Sequence, residues 1–184
     1  MSPSQMFRPR AQRRLFETRG VHVLVDGQYG STGKGALAAW LALVAEETGA
    51  IIDFDGVITS AGPNSGHTSY FNGEKIVLKQ LPTFGVHAHL RGATMPVYLS
   101  AGAIIDPEIL FDEAYRYPKI PIFVHPNAAV ISPEDIAEES RGTILEVAGT
   151  KSGTGACLAR KIKRDPSAIW ANHRMITPSN ISTM

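Results

Sequence analysis

The stretch from Val23 to Gly35, Val-Leu-Val-Asp-Gly-Gln-Tyr-Gly-Ser-Thr-Gly-Lys-Gly, constrains this chain more than any other part of it. A β-branched, apolar run from Val21 to Val25 stops at Asp26-Gly27. Glycines recur at Gly27, Gly30 and Gly33, and Lys34-Gly35 opens an apolar, helix-like segment from Ala36 to Val44. The pattern predicts a strand, a glycine loop and a helix N-terminus, which together form an anion cradle. Glycines let backbone N–H groups approach phosphate oxygens, the helix dipole favours negative charge, and a lysine adds a mobile cation. The loop departs from the standard G-x-x-x-x-G-K-[ST] pattern, which would need glycine at Gln28 and a hydroxyl at Gly35. Gly30, Ser31, Thr32, Gly33, Lys34 and Gly35 are the expected phosphate-binding residues.

The rest of the chain alternates between strand and helix signals. Gly56 to Ala61 reads as a short buried strand, and Ser69 to Leu78 as a β-hairpin turning at Asn72-Gly73. Met95 to Ile105 looks like a strand region, and Asp106-Pro107-Glu108 caps a helix running to about Tyr115. Ile120 to Ile131 is strand-like, with Pro121 and Pro126 arguing for a short or edge element. Ser132-Pro133-Glu134-Asp135 starts another helix. Such alternation predicts an α/β fold with a mainly parallel central sheet, flanking helices, a P-loop-like turn after the first strand, and the added hairpin.

Composition narrows the partners. The chain has 184 residues, enough for one domain with a real core, and 43% apolar residues fit a globular protein. A net charge of +1 supplies no global field for nucleic acid or a membrane surface, so neither is expected as a partner. Residues 1–19 hold Arg8, Arg10, Arg13, Arg14 and Arg19 against Glu17. That basic arm lacks the apolar core of a signal peptide and reads as a flexible tail, with a transit-peptide or polyanion-binding role as the alternative. Cys157 is the single cysteine, so an intramolecular disulfide is excluded and a reducing, cytoplasmic compartment is expected. No apolar stretch reaches the ~18 residues that span a bilayer. The organisation expected is a basic arm over 1–19, one main unit over 20–165, and a tail or continuation over 166–184.

Two further constellations carry chemistry. Gly62-Pro63-Asn64-Ser65-Gly66-His67-Thr68 follows a strand; its histidine is flanked by small residues, titrates near neutral pH and can reach a substrate. Gly149-Thr150-Lys151-Ser152-Gly153-Thr154-Gly155-Ala156 opens a helix that ends in Arg164, and is read either as a second anion site or as a flexible loop.

Taken together these residues resemble the adenylosuccinate synthetase family. Its glycine-lysine loop is similar to Gly27–Gly35, its Asn-Ala-Gly-His-Thr loop to Asn64–Thr68, its Asn-Gly-Glu-Lys hairpin to Asn72–Lys75, and its threonine/glycine loop to Gly149–Ala156 with the spacing on to Arg164. The resemblance covers residues 21–165. It implies a ligase that joins L-aspartate to the 6-position of a purine monophosphate, using GTP or ATP and Mg²⁺ through a 6-phosphoryl intermediate, and working as a homodimer. It also implies roles. Lys34 and the loop amides would hold the triphosphate with Gly66, His67 and Thr68, and His67 would act on the purine oxygen. The Gly66 carbonyl and residue 31 would face Mg²⁺. Asn64, Thr150 and Arg164 would hold the substrate monophosphate, Arg164 from across the dimer.

Two departures shape the expectation. The family's loop carries an aspartate, acting as base and Mg²⁺ ligand, where this chain has Ser31. A bacteriophage branch of the family also lacks it and acts on (d)GMP, so the resemblance favours that branch; an ordinary IMP-using synthetase and a non-catalytic nucleotide-binding homologue are the alternatives. The chain is also shorter than family members, whose aspartate-binding loop and base-reading motif lie further on. A fragment, a natural truncation and a short homologue all fit that.

Overall fold

The computed structural model describes residues 20–28, 32–141, 151–171 and 181–183. Helix α1 runs over Lys34–Thr48, a 3₁₀ turn over Ala50–Asp53, and β1 over Val57–Thr59. The hairpin strands β2 (His67–Phe71) and β3 (Glu74–Leu78) lead into α2 (Thr83–Leu90). Then come β4 (Val97–Leu99), β5 (Ile104–Ile105), α3 (Pro107–Arg116), β6 (Ile122–Val124), β7 (Ala129–Val130) and α4 (Pro133–Arg141). Helix α5 (Thr154–Lys163), β8 (Ile169–Trp170) and β9 (Ile181–Thr183) complete the described chain.

A parallel sheet in the order β1-β4-β6-β9 forms the centre, beside a β5-β7-β8 sheet and the β2-β3 hairpin. Alternation along the central strands sends Val97, Leu99, Ile122 and Val124 into the main core, with Leu78, Leu81, Val86, Leu110 and Ile120. Helix α2 lies against this sheet through Gly85, where an added Cβ would come within 2.9 Å of Val97 Cγ2. The opposite face carries Ile58, Tyr98 and Phe123 side by side; Tyr98 and Phe123 stack at 5.3 Å and Ile58 is exposed. A second cluster, Ala45, Ile51, Ala88 and Met95, joins α1 to α2.

The α/β class, the parallel sheet and the hairpin match the sequence expectation. Asn72 and Gly73 both take positive φ, 51° and 85°, as a tight two-residue hairpin turn requires. Asp106 accepts from the amides of Glu108 and Ile109 and caps α3 ahead of Pro107. Several expectations need correction. Residues 21–26 form no strand; Val21, Val23 and Val25 are exposed, since an apolar run becomes a strand only beside a partner strand. The regions Met95–Ile105 and Ile120–Ile131 each turn a corner and divide between two sheets. Ala103 N donates to Ser100 O (3.0 Å), and Ala128 N to His125 O (2.8 Å). Nor is β6 an edge strand: it lies between β4 and β9, and Pro121 sits just before it, its carbonyl accepting from Val97 N at 2.9 Å. The stretch expected as a tail or continuation supplies β8 and β9.

Candidate functional site

Gly33 makes the turn into α1 in the left-handed region (φ 81°), which favours glycine, and Lys34 is the first helical residue. At Gly35 the helix start meets the hairpin. A Cβ there would fall 3.0–3.1 Å from the Cβ, Cα and carbonyl carbon of His67. Gly35 is therefore a close-approach glycine, and it sets Lys34 beside the first residue of β2. The structure brings together Thr32, Gly33, Lys34, Gly35 and His67; Gly66 precedes His67, and Thr68 pairs with Val77 across the hairpin. Gly30, Ser31 and Thr150 lie outside the described residues.

Burial, and then the nearby Lys34 ammonium, hold His67 below its ordinary pKa, while Glu113 pulls weakly the other way. The imidazole is thus neutral at neutral pH and serves as a hydrogen-bond donor and acceptor. Beneath it, His87 on α2 meets the Ser69 hydroxyl of β2 at 2.9 Å and supports the hairpin from the core side.

Sequence reasoning missed three carboxylates. Asp26 pairs with Lys34 through Oδ2 and accepts from the Thr32 hydroxyl through Oδ1, closing the loop on itself. Its position at the end of the apolar run was the available signal. Glu113, on α3 and 1% exposed, accepts from the amides of Lys79 (2.6 Å), Gln80 (3.1 Å) and Leu81 (2.7 Å), where the chain leaves the hairpin. Glu139, on α4, accepts from Gly153 N (2.7 Å), Gly155 N (2.6 Å) and Ala156 N (3.2 Å). The described amides at the start of α5, in the loop read either as an anion site or as a flexible loop, thus hold a carboxylate of the protein itself.

Asn64 and Thr154 meet over Gly62, where a Cβ would lie 3.3 Å from Asn64 Oδ1 and 3.0 Å from Thr154 Cγ2. Arg164 caps the other end of α5 in the left-handed region (φ 53°). The 10-residue helix puts it about 15 Å from Thr154 at 1.5 Å per residue. There it lines an open cavity of about 560 Å³ with Asn127, Lys161 and Trp170. One copy of the chain does not bring Arg164 to Asn64. Among the described residues no helix is long and apolar enough to cross a membrane.

Parallel strands with flanking helices and an added β-hairpin define an α/β protein. The chain belongs to the adenylosuccinate synthetase family, whose model matches residues 23–174. It is 34% identical over 160 residues to the N6-succino-2-amino-2'-deoxyadenylate synthase of Cyanophage S-2L, covering 84% of this chain and 40% of that protein. It is 33% identical over 153 residues to the adenylosuccinate synthetase of Fusobacterium nucleatum, covering 78% and 33%. The chain thus spans well under half the length of these curated relatives. Among solved structures, the Cyanophage S-2L succinoaminodeoxyadenylate synthetase bound to dGMP and dATP as an energy donor superposes with a TM-score of 0.71 at 31% identity, over 87% of this chain and 44% of that one. The fold is shared with the fully ligated adenylosuccinate synthetase of Plasmodium falciparum (TM-score 0.60, 20% identity, 79% of this chain and 33% of that one).

Proposed function

We propose that this chain carries the phosphoryl-transfer side of a ligase that joins L-aspartate to the 6-position of a purine monophosphate, with (d)GMP as the preferred purine. The observation that carries this reading is the contact at Gly35, which sets Lys34 and His67 side by side at one helix N-terminus. In the reaction the purine N1 gives its proton to solvent water, in the absence of the family's base aspartate at residue 31, and the 6-oxygen attacks the terminal phosphorus of ATP or GTP. The nucleoside diphosphate leaves, and the aspartate amine then displaces the new phosphate at C6. Lys34 and the amides of residues 30–35 neutralise the triphosphate, and neutral His67 donates to the purine oxygen as charge builds there; such fixed donors are the main help a protein gives to phosphoryl transfer.

The donors at hand suit Mg²⁺, a hard cation that takes few protein oxygens and completes its shell with phosphates and water. The Gly66 carbonyl and Ser31 hydroxyl would be its ligands from the protein. Among the described residues no three His, Cys, Asp or Glu side chains gather to hold an ion, so the nucleotide would supply most of the shell. When bound, the ion spreads charge over the terminal phosphates.

Lys34→Ala is expected to weaken ATP or GTP binding by about 1.5–3 kcal/mol, the scale of a charge-assisted hydrogen bond. Titration calorimetry on the two proteins checks this, and equal affinities would remove the loop from the mechanism.

Ser31 supports the guanine preference. An aspartate at this place would crowd C2, where guanine carries an amino group, whereas serine leaves room and offers one hydroxyl that donates and accepts. The dGMP-bound phage relative points the same way. We expect dGMP to bind more tightly than IMP, and Ser31→Asp to shift the preference toward IMP, because polar sites discriminate against analogues that leave them unpaired. Monophosphate titrations on both proteins decide it. A wild-type preference for IMP would favour the ordinary synthetase, a reading that the 33% identity to the Fusobacterium enzyme supports.

A further inference from the structure

Helix α1 has no side-chain N-cap and no acidic residue in its first turn, so its own sequence leaves the positive end of its dipole without a negative partner. Asp26, on the far side of the glycine loop, reaches the Lys34 side chain that starts this helix. One carboxylate oxygen pairs with the Lys34 ammonium and the other accepts from the Thr32 hydroxyl. The pair is partly shielded from water, with side-chain exposures of 34% for Lys34 and 23% for Asp26. Asp26 therefore holds the Lys34 ammonium that a phosphate group would otherwise meet.

We propose that Asp26 is the specificity-determining residue of this loop, an internal anion that any ligand must displace from Lys34. The inference rests on the triphosphate reading of the loop given above. Exchange of one anion for another at a single lysine gains little, since the ligand replaces a contact that already exists and meets the released carboxylate as a like charge. Inorganic phosphate and monophosphates can offer no more than that exchange. A triphosphate makes further charge-assisted bonds along the loop amides, and those bonds drive the displacement. Asp26 thus filters for polyphosphate chains and keeps the loop clear of the monophosphate substrate and of the phosphate product.

The test is titration calorimetry with ATP and with inorganic phosphate on wild type, Asp26→Asn, Asp26→Glu and Lys34→Ala. Asp26→Asn, which removes the charge and keeps a hydrogen-bonding group for Thr32, should bind inorganic phosphate about tenfold more tightly than wild type, with a smaller gain for ATP. Asp26→Glu, which restores the charge, should restore the discrimination. Phosphate affinity unchanged or weakened in Asp26→Asn would overturn the proposal. If Lys34→Ala still weakens ATP binding in that case, only the filter falls. If Lys34→Ala binds ATP like wild type, the triphosphate reading falls with it.

Discussion

Replacing His67 with asparagine is expected to lower kcat by about 10²–10⁴-fold while leaving monophosphate affinity nearly unchanged, the range for a positioned acid–base group that acts mainly in the transition state. The measurement is aspartate-dependent turnover of dGMP and IMP in the protein expressed from its complete reading frame. A mutant within tenfold of wild type would reduce His67 to a packing residue under Gly35. Burial and Lys34 hold its pKa below the ordinary 6.5, so the acid limb of the kcat/KM profile should lie below that value. Lys34→Ala removes the second of these causes and should raise the pKa of His67, as read from its imidazole resonances by NMR. The sign for stability follows from the same shift. Between 6.5 and the lowered folded value the unfolded imidazole binds a proton that the folded one does not. Acidification through that window therefore costs stability, and pH above it has no effect through this residue.

Glu113→Ala is expected to destabilise the fold by about 2–5 kcal/mol, because three backbone amides lose a charged acceptor, two of them buried, and unpaired buried donors cost about 1–3 kcal/mol each. The amides are those of Lys79, Gln80 and Leu81, between the hairpin that carries His67 and helix α2. Gln80 extends the tie: its Nε2 donates to Ile104 O at 3.1 Å, and its Oε1 accepts from Asp106 N at 2.9 Å. Urea unfolding should show a lower midpoint with an unchanged slope. A loss below about 1 kcal/mol would mean that the amides find other partners.

What could be read in the sequence was local. Asn72-Gly73 specifies its turn within two residues, and Asp106-Pro107 specifies the start of α3 within four. At Ser132-Pro133 the cap is reciprocal: Asp135 N donates to Ser132 Oγ at 3.3 Å, and Ser132 N donates to Asp135 Oδ2 at 2.8 Å. The pairing of the glycine loop with His67 came from the family resemblance, since the small residues around each mark two separate loops and not their meeting. Two carboxylates that tie loops to the fold were not legible, since Glu113 meets amides 32–34 positions away and Glu139 meets them 14–17 positions away, with no periodicity to announce either. Helix α2 also escaped notice. Thr83, Gly85, Val86, His87 and Ala88 are all buried, so the helix lacks the polar stripe that marks an amphipathic segment. The run at Val21–Val25 failed in the opposite way: its residues favour a strand, but strand formation depends on a neighbour that no local pattern specifies.

Helix α5 keeps Asn64 and Thr154 at one end and Arg164 at the other, about 15 Å apart by helical rise. A single phosphate group is far smaller than that span. A phosphate group that engages both ends would therefore draw one from each of two molecules, and its binding would become a reaction of third order overall rather than second. Its apparent affinity then rises with protein concentration, and saturating ligand drives the protein to associate. The length of one helix would in that way couple occupancy of the site to how much of the protein a cell contains.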